Sequence, residues 1–331
     1  MSRMVGIAYR LTSAAFVAFV LAGCTSGQGG GSDAKPSAVQ PTFSLDGLYS
    51  FVEDGTGTRN GAPATDLFKG ETQWAFRTKC DEKGCVAAGG RVDPANPSAA
   101  PSQVFAADYA DGKWTQVTLD VGGATCARQD TTFKSDQWSI WDITKADDKL
   151  SIKGTSVGTD DCNFVNESTS TLTRVGDLPA GMTLPDPADA PKRVQSYPAN
   201  AFRGKYTADY KRADNGQPQN SEQMDVRTTC LRSDERCVTT TVNLAPRDPA
   251  TPYALEVYQF ANDKFTFKQT VGQTQCADGR EGVGAKAVSL SLPPAPVPDP
   301  APSVTGNVNV SVTGDCTGTN VYDANFTRTG D

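Results

Sequence analysis

The chain has 331 residues, 37% of them hydrophobic, with 31 glycines, 21 prolines, nine cysteines, no histidine and a net charge of −7. Without histidine, Ser-His-Asp and Cys-His catalysis and nearly all zinc sites are excluded, and an acidic chain has no electrostatic reason to hold nucleic acid. The Gly- and Pro-rich composition suits a loop-rich, all-β secreted protein, and the length suggests about two domains.

Residues 1–23 divide as a bacterial secretory signal does. Arg3 and Arg10 give a positive start, and Leu11 to Val20 is apolar but too short to span a bilayer. Leu21-Ala22-Gly23-Cys24 then has the form of a lipoprotein cleavage box, with Cys24 as the residue to be acylated. This predicts a mature protein anchored by lipid (palmitate among the acyl groups) on the extracytoplasmic face of the cell membrane. Two or three acyl chains are needed, because one chain binds only marginally. Removing Arg3 and Arg10 with the signal takes the charge from −7 to −9, so no basic patch assists the anchor. Residues 24–44 are rich in Gly, Ser and Pro and read as a flexible tether.

An internal repeat follows. Gly47-Leu-Tyr49 answers Gly204-Lys-Tyr206, and Arg77-Thr78-Lys-Cys80 answers Arg227-Thr228-Thr-Cys230. Each of those cysteines is followed by a Cys-Val pair, at Cys85-Val86 and Cys237-Val238. Tyr109-Ala-Asp-Gly-Lys113-Trp114 matches Phe260-Ala-Asn-Asp-Lys264-Phe265. Cys162 precedes Thr173-Arg174-Val-Gly176-Asp177 by the same distance as Cys316 precedes Thr327-Arg328-Thr-Gly330-Asp331. The repeat defines β domain 1 as 45–177, a Pro-rich linker as 178–200 and β domain 2 as 201–331.

Within both halves the dominant period is two, the signal of strands with one apolar face. Trp74, Phe76, Thr78 and Cys80 share a face, as do Met224, Val226, Thr228 and Cys230, and as do Tyr206, Ala208 and Tyr210. Turn residues punctuate the pattern at Asp81 to Gly84, Asp111-Gly112, Asn215-Gly216 and Asn262-Asp263. About eight strands per half, joined by hairpin turns, predict two tandem antiparallel β domains. A closed barrel removes the sheet edges, and a sandwich is the alternative.

Lipidation of Cys24 leaves eight cysteines, an even number that predicts disulfides in an oxidising envelope. Cys80 and Cys85 flank one hairpin turn and Cys230 and Cys237 another, so each pair can bridge its hairpin. That leaves Cys126 with Cys162, and Cys276 with Cys316. In the chain-entropy account the short clips contribute roughly 2 kcal/mol each and the long ones roughly 4.

No motif rises to a catalytic centre. Gly154-Thr-Ser156-Val-Gly158 matches a hydrolase elbow, but it runs through a predicted strand and lacks a histidine partner. Asp147-Asp148 and Asp160-Asp161 lack calcium-loop spacing and read as turns; no metal or cofactor is expected. Two features look like more than packing. Pro293 to Pro302 is a polyproline-like insertion in the second half. Trp138 and Trp141 place indoles on opposite faces of one strand, whose counterpart Val288-Ser-Leu290-Ser-Leu292 alternates cleanly. One of these tryptophans is therefore expected to line a ligand site for an envelope glycan, lipid or protein.

The residues Trp74-Ala-Phe-Arg77, Cys80, Gly84-Cys85-Val86-Ala87, Asp111-Gly112-Lys113-Trp114 and Thr173-Arg174-Val-Gly176-Asp177 resemble actinobacterial envelope proteins. These are mycobacterial-type lipoproteins and the extracytoplasmic regions of receptor-like serine/threonine kinases. The resemblance covers the first half well and the second more faintly, where Trp74 and Trp114 have no tryptophan counterpart. It implies an envelope location and a sensing or binding role, and it brings no catalytic residues. The expected function is a non-enzymatic ligand- or partner-binding module. The alternatives are an envelope hydrolase of unrecognised type and a purely structural envelope protein.

Overall fold

The structure is a computed structural model. It describes residues 41–331 apart from 83, 129–130, 148, 195–196 and 277–278, so Cys24 and the signal segment lie outside the described residues. Ten strands form the first sheet: β1 (Gly47–Asp54), β2 (Gly57–Arg59), β3 (Ala62–Ala64), β4 (Lys69–Asp81), β5 (Gly84–Val92), β6 (Gln103–Ala110), β7 (Lys113–Arg128), β8 (Thr131–Ala146), β9 (Lys149–Gly158) and β10 (Phe164–Gly176). β1 pairs with both β4 and β10, so eight strands close into an antiparallel barrel and the β2–β3 hairpin hangs on β10.

The second sheet comprises β11 (Gly204–Arg212), β12 (Pro218–Cys230), β13 (Cys237–Asn243), β14 (Leu255–Ala261), β15 (Lys264–Gln275), β16 (Glu281–Ser291), β17 (Ser303–Gly314) and β18 (Gly318–Gly330). It closes in the same order through β11 and β18. The fold is therefore two eight-stranded antiparallel barrels. Of the two architectures open to the sequence, closure of first strand on last selects the barrel.

The repeat is visible at each seam. Gly47 and Gly204 have φ values of 120° and 101°, where L side chains are strained. A Cβ would stand 2.7 Å from the Gly176 carbonyl oxygen in the first barrel and 2.6 Å from that of Gly330 in the second. Arg174 pairs with Asp177 and donates from Nε to the Asp46 carbonyl (3.2 Å), while Arg328 pairs with Asp331. One end of each lumen is plugged by a buried residue two positions before the glycine, Leu45 or Phe202. Leu45 N–H donates to Thr78 Oγ1 (3.1 Å), and the matching Thr228 hydroxyl donates to the Phe202 carbonyl (2.6 Å).

Composition places Thr42 and Phe43 in the tether, but both are docked on the first barrel. The indole of Trp114 donates to the Phe43 carbonyl (3.1 Å), Thr42 N–H donates to the Tyr109 hydroxyl (3.1 Å), and the Phe43 ring is buried in the core. The apolar ring accounts for the correction, since leaving it in water forfeits its burial. The polyproline-like insertion lies over the plugged end of barrel 2: Ala301 is buried, and its carbonyl accepts from the Tyr206 hydroxyl at 2.7 Å. The linker also packs. Leu178, Met182 and Leu184 lie on Leu48 and Ala75, on the outer wall of barrel 1.

All four cysteine pairs stand at disulfide distance, two in each barrel. Cys80–Cys85 and Cys230–Cys237 are directly opposed across hairpins, with Cα separations of 4.0 and 3.9 Å. Cys126–Cys162 and Cys276–Cys316 are separated by 5.4 and 6.6 Å.

The barrels share an apolar contact. Trp138, Val157 and Val165 from the outer wall of barrel 1 meet Leu231, Val238 and Val257 from barrel 2, flanked by Val117, Leu119 and Ile140. Polar groups frame it. Asp160 accepts from Lys268 N–H (3.1 Å) and from Gln259 Nε2 (3.1 Å), and Asp161 accepts from Thr270 N–H (2.5 Å). Asn163 Nδ2 donates to the Leu255 carbonyl (2.8 Å), and Arg232 Nε donates to Asp108 at 3.1 Å. Burial raises the Asp160 pKa against those stabilising hydrogen bonds.

Candidate functional site at the mouth of the first barrel

Strand pairing sets what lines each lumen, because period-two alternation keeps opposed residues on one face. In barrel 1 Trp141 on β8 stands opposite Gln116 on β7 and Gly154 on β9. The Trp141 ring stacks on Phe51 with centroids 5.1 Å apart, meets Trp74 edge-on at 5.0 Å and lies 6.2 Å from Phe105. These rings floor the end of the lumen opposite the Leu45 plug. Trp141 is partly exposed.

One step further along the strands the lumen turns polar. Ser139 opposes Thr118 and Ser156, Ser168 opposes Gly154, and Thr72 opposes Phe51. Gln137 Nε2 donates to Ser156 Oγ (3.0 Å), and Trp74 Nε1 donates to Thr72 Oγ1 (2.9 Å). Gln116 is 2% exposed, and its Oε1 has no partner among the described residues. A buried carbonyl left without a donor costs about 1–3 kcal/mol, so a donor arriving beside Trp141 would gain more than an ordinary surface hydrogen bond. The register also puts Glu53, Asp120 (opposite Gln137) and Arg91 (opposite Trp74) on this face. Burial raises the Glu53 pKa, and a hydrogen bond from Ser170 partly offsets that. The assembly is an aromatic platform under hydroxyls and an amide, which suits a neutral, hydroxyl-bearing ring.

The same levels of barrel 2 carry different chemistry. Val288 replaces Trp141, Lys286 replaces Ser139, Glu222 replaces Thr72 and Tyr210 replaces Glu53. Lys286 pairs with Glu256, which also accepts from the Tyr258 hydroxyl, and Asn243 Nδ2 donates to Glu222 (3.1 Å). Burial, with Glu256 adding to it, raises the pKa of both Tyr210 and Tyr258. At these levels barrel 2 pairs its polar groups with one another, whereas barrel 1 leaves Gln116 Oε1 without a partner among the described residues.

The sequence reading paired Trp138 with Trp141 as candidates on an open face. The structure separates them. Trp138 is 1% exposed, covered by Leu231 and Val238 of barrel 2, and its indole N–H has no partner among the described residues. Its outward position reflects a second apolar contact, which leaves Trp141 as the indole within a ligand's reach. Sequence reasoning also missed the contact role of Asp160 and Asp161, read there as turn residues. Their spacing carries no signal for a partner 100 residues away.

A cavity of about 270 Å³ opens between the barrels over Ile140, Val157 and Val238. Its charged groups pair with one another or with neighbours, Lys153 with Glu167 (2.9 Å), Arg227 with Asp225 (3.0 Å) and Asp142 with Lys113 (2.6 Å). It therefore has less to offer a ligand than the mouth of barrel 1.

Comparison with known proteins bears on this first barrel. Residues 40–189 match the family model of the PknI serine/threonine-protein kinase sensor domain. The span covers barrel 1 with part of the linker and leaves barrel 2 outside. Among solved structures, a monomer form of the M. tuberculosis PknI sensor domain is 24% identical, covering 44% of this chain and 96% of that one, with a TM-score of 0.36. A dimer form is 23% identical, covering 36% and 79%, with a TM-score of 0.29. A protein of unknown function from the DUF3598 family of Nostoc punctiforme is 7% identical, covering 86% and 96%, with a TM-score of 0.20. No curated protein sequence matches the chain. The chain is thus similar, through barrel 1, to the extracytoplasmic region of a receptor-like kinase. No helix among the described residues is long and apolar enough to cross a membrane.

Proposed function

We propose that the chain is a non-catalytic, extracytoplasmic sensing module, held at the membrane by lipid on Cys24, whose first barrel binds a neutral glycan on Trp141. The observation that carries the reading is the contrast between the two mouths. Barrel 1 presents a partly exposed indole and an unpartnered buried amide oxygen under a ring of hydroxyls, while barrel 2 fills the equivalent space with its own ion pair. The similarity of barrel 1 to a kinase sensor domain supports a binding role. Cys24 follows the apolar segment that motivates the lipid anchor.

The test is titration of the full chain with neutral oligosaccharides of the bacterial envelope, followed by tryptophan fluorescence. Saturable binding is expected, lost in Trp141→Ala and weakened about tenfold in Gln116→Leu, the effect of one missing buried hydrogen bond. Equal binding by Trp141→Ala, or no saturable binding across the panel, overturns the assignment.

A further inference from the structure

A second cleft, of about 380 Å³, lies on the outer wall of barrel 1 where the linker and barrel 2 meet it. Val104, Ala106 and Val117 on the barrel wall, with Leu231 of barrel 2, face Pro185 and Pro191 of the linker. The volume falls within the range of small-ligand sites, roughly 300–1,000 Å³. The apolar lining is aliphatic rather than aromatic, which favours a flexible chain over a flat ring. Val104 is a large apolar side chain left 56% exposed, and burying it against a ligand would recover the hydrophobic contribution it now forfeits.

Arg232 also lines the cleft. Its Nε donates to both oxygens of Asp108 (3.1 Å each), and this pair is only 15% and 18% exposed. The Nη1 of the same guanidinium is buried without a partner among the described residues. A buried charged donor left unpaired is costly and marks where an acceptor belongs. The acceptor is neutral rather than anionic: Asp108 already balances the guanidinium, and Asp186 and Asp189 add negative charge to the lining.

We propose that this cleft binds a single acyl chain ester, the alkyl chain lying against Val104, Ala106 and Val117 and the ester carbonyl accepting from Arg232 Nη1. The site is separate from the mouth of barrel 1. It requires both barrels and the linker to be in place, so its occupant would bridge them.

The experiment is calorimetric titration of the full chain with 1-octanoylglycerol, a soluble neutral acyl ester, alongside sodium octanoate. Saturable binding of the ester is expected, with octanoate weaker. Val104→Trp fills the cleft from its exposed side and should abolish binding. Arg232→Lys keeps a cation for Asp108 but loses the guanidinium fork, and should weaken ester binding about tenfold. Trp141→Ala should leave it unchanged. No binding by the native chain, undiminished binding by Val104→Trp or Arg232→Lys, or octanoate binding as tightly as the ester each overturns the proposal. Loss of binding in Trp141→Ala overturns it too, by moving the lipid to barrel 1.

Discussion

Replacing Trp138 by alanine tests whether the two barrels behave as one cooperative body. Trp138 is buried against Val157, Val165, Leu231, Val238 and Val257. Truncating a buried tryptophan to alanine costs about 3–5 kcal/mol, partly as lost transfer and partly as a cavity. Here the indole N–H has no partner among the described residues, so its removal returns about 1 kcal/mol of uncompensated desolvation. The expected net loss is about 3 kcal/mol, and it falls on the contact between barrels rather than on either lumen. All four tryptophans (Trp74, Trp114, Trp138 and Trp141) belong to barrel 1, so fluorescence follows that barrel while circular dichroism follows both. In urea without reductant, the parent chain should unfold with coincident transitions by the two probes. Trp138→Ala should separate them, with the dichroism curve broadening into two steps. Trp141→Ala, partly exposed and inside one lumen, should cost about 2 kcal/mol and keep the curves together. A Trp138→Ala chain within about 1 kcal/mol of the parent, its probes still coincident, would refute the reasoning.

Non-reducing peptide mapping should recover Cys80–Cys85, Cys126–Cys162, Cys230–Cys237 and Cys276–Cys316, with no peptide joining the two barrels. Gly47→Ala and Gly204→Ala should each lower stability by about 1–3 kcal/mol, measured by thermal unfolding, because both combine a positive φ with a carbonyl in the path of the Cβ. Asp160 has a folded pKa above its unfolded value, so the folded state holds its proton more tightly and this group's contribution falls as pH rises from about 4 through the raised value. Asp160→Asn should flatten that part of the stability profile, and a profile unchanged from the parent would count against it. Cys24→Ala should release the protein from membranes into the soluble fraction.

The strands, the duplication and the cysteine pairing were legible because each rests on local signals. Alternation such as Tyr206, Ala208, Tyr210 fixes a face, and opposed cysteines across a short turn fix a register. Barrel or sandwich was not legible, since it depends on β1 finding β10 more than a hundred residues later, which alternation along either strand does not encode. Trp138 shows a subtler limit. Apolar residues on both faces of β8 signal two buried faces, but not whether the second is covered by a ligand, a loop or another domain. Phe43 was readable in principle: Phe43 and Leu45 alternate with Thr42, Ser44 and Asp46, continuing the strand pattern into a segment whose composition resembles a tether. The unpartnered oxygen of Gln116 had no signal at all, because it arises from what the neighbouring strands fail to supply.

The closure of each barrel by its first and last strands sets an order of assembly for a chain delivered from its N-terminus. β1 must wait, with one edge unpaired, until β10 and its Thr173-Arg174 clasp have been delivered. Strand pairings between distant segments form slowly, and an open edge in the interval invites pairing with another chain. Barrel 1 can finish at Gly176, while β11 stays unclosed until Gly330 is delivered. The completed barrel 1 then offers Trp138 and its apolar neighbours as a ready surface on which β13 and β14 can settle. In a chain delivered from its N-terminus the first barrel thus serves the second as a folding template, and a slow step in barrel 1 would delay both.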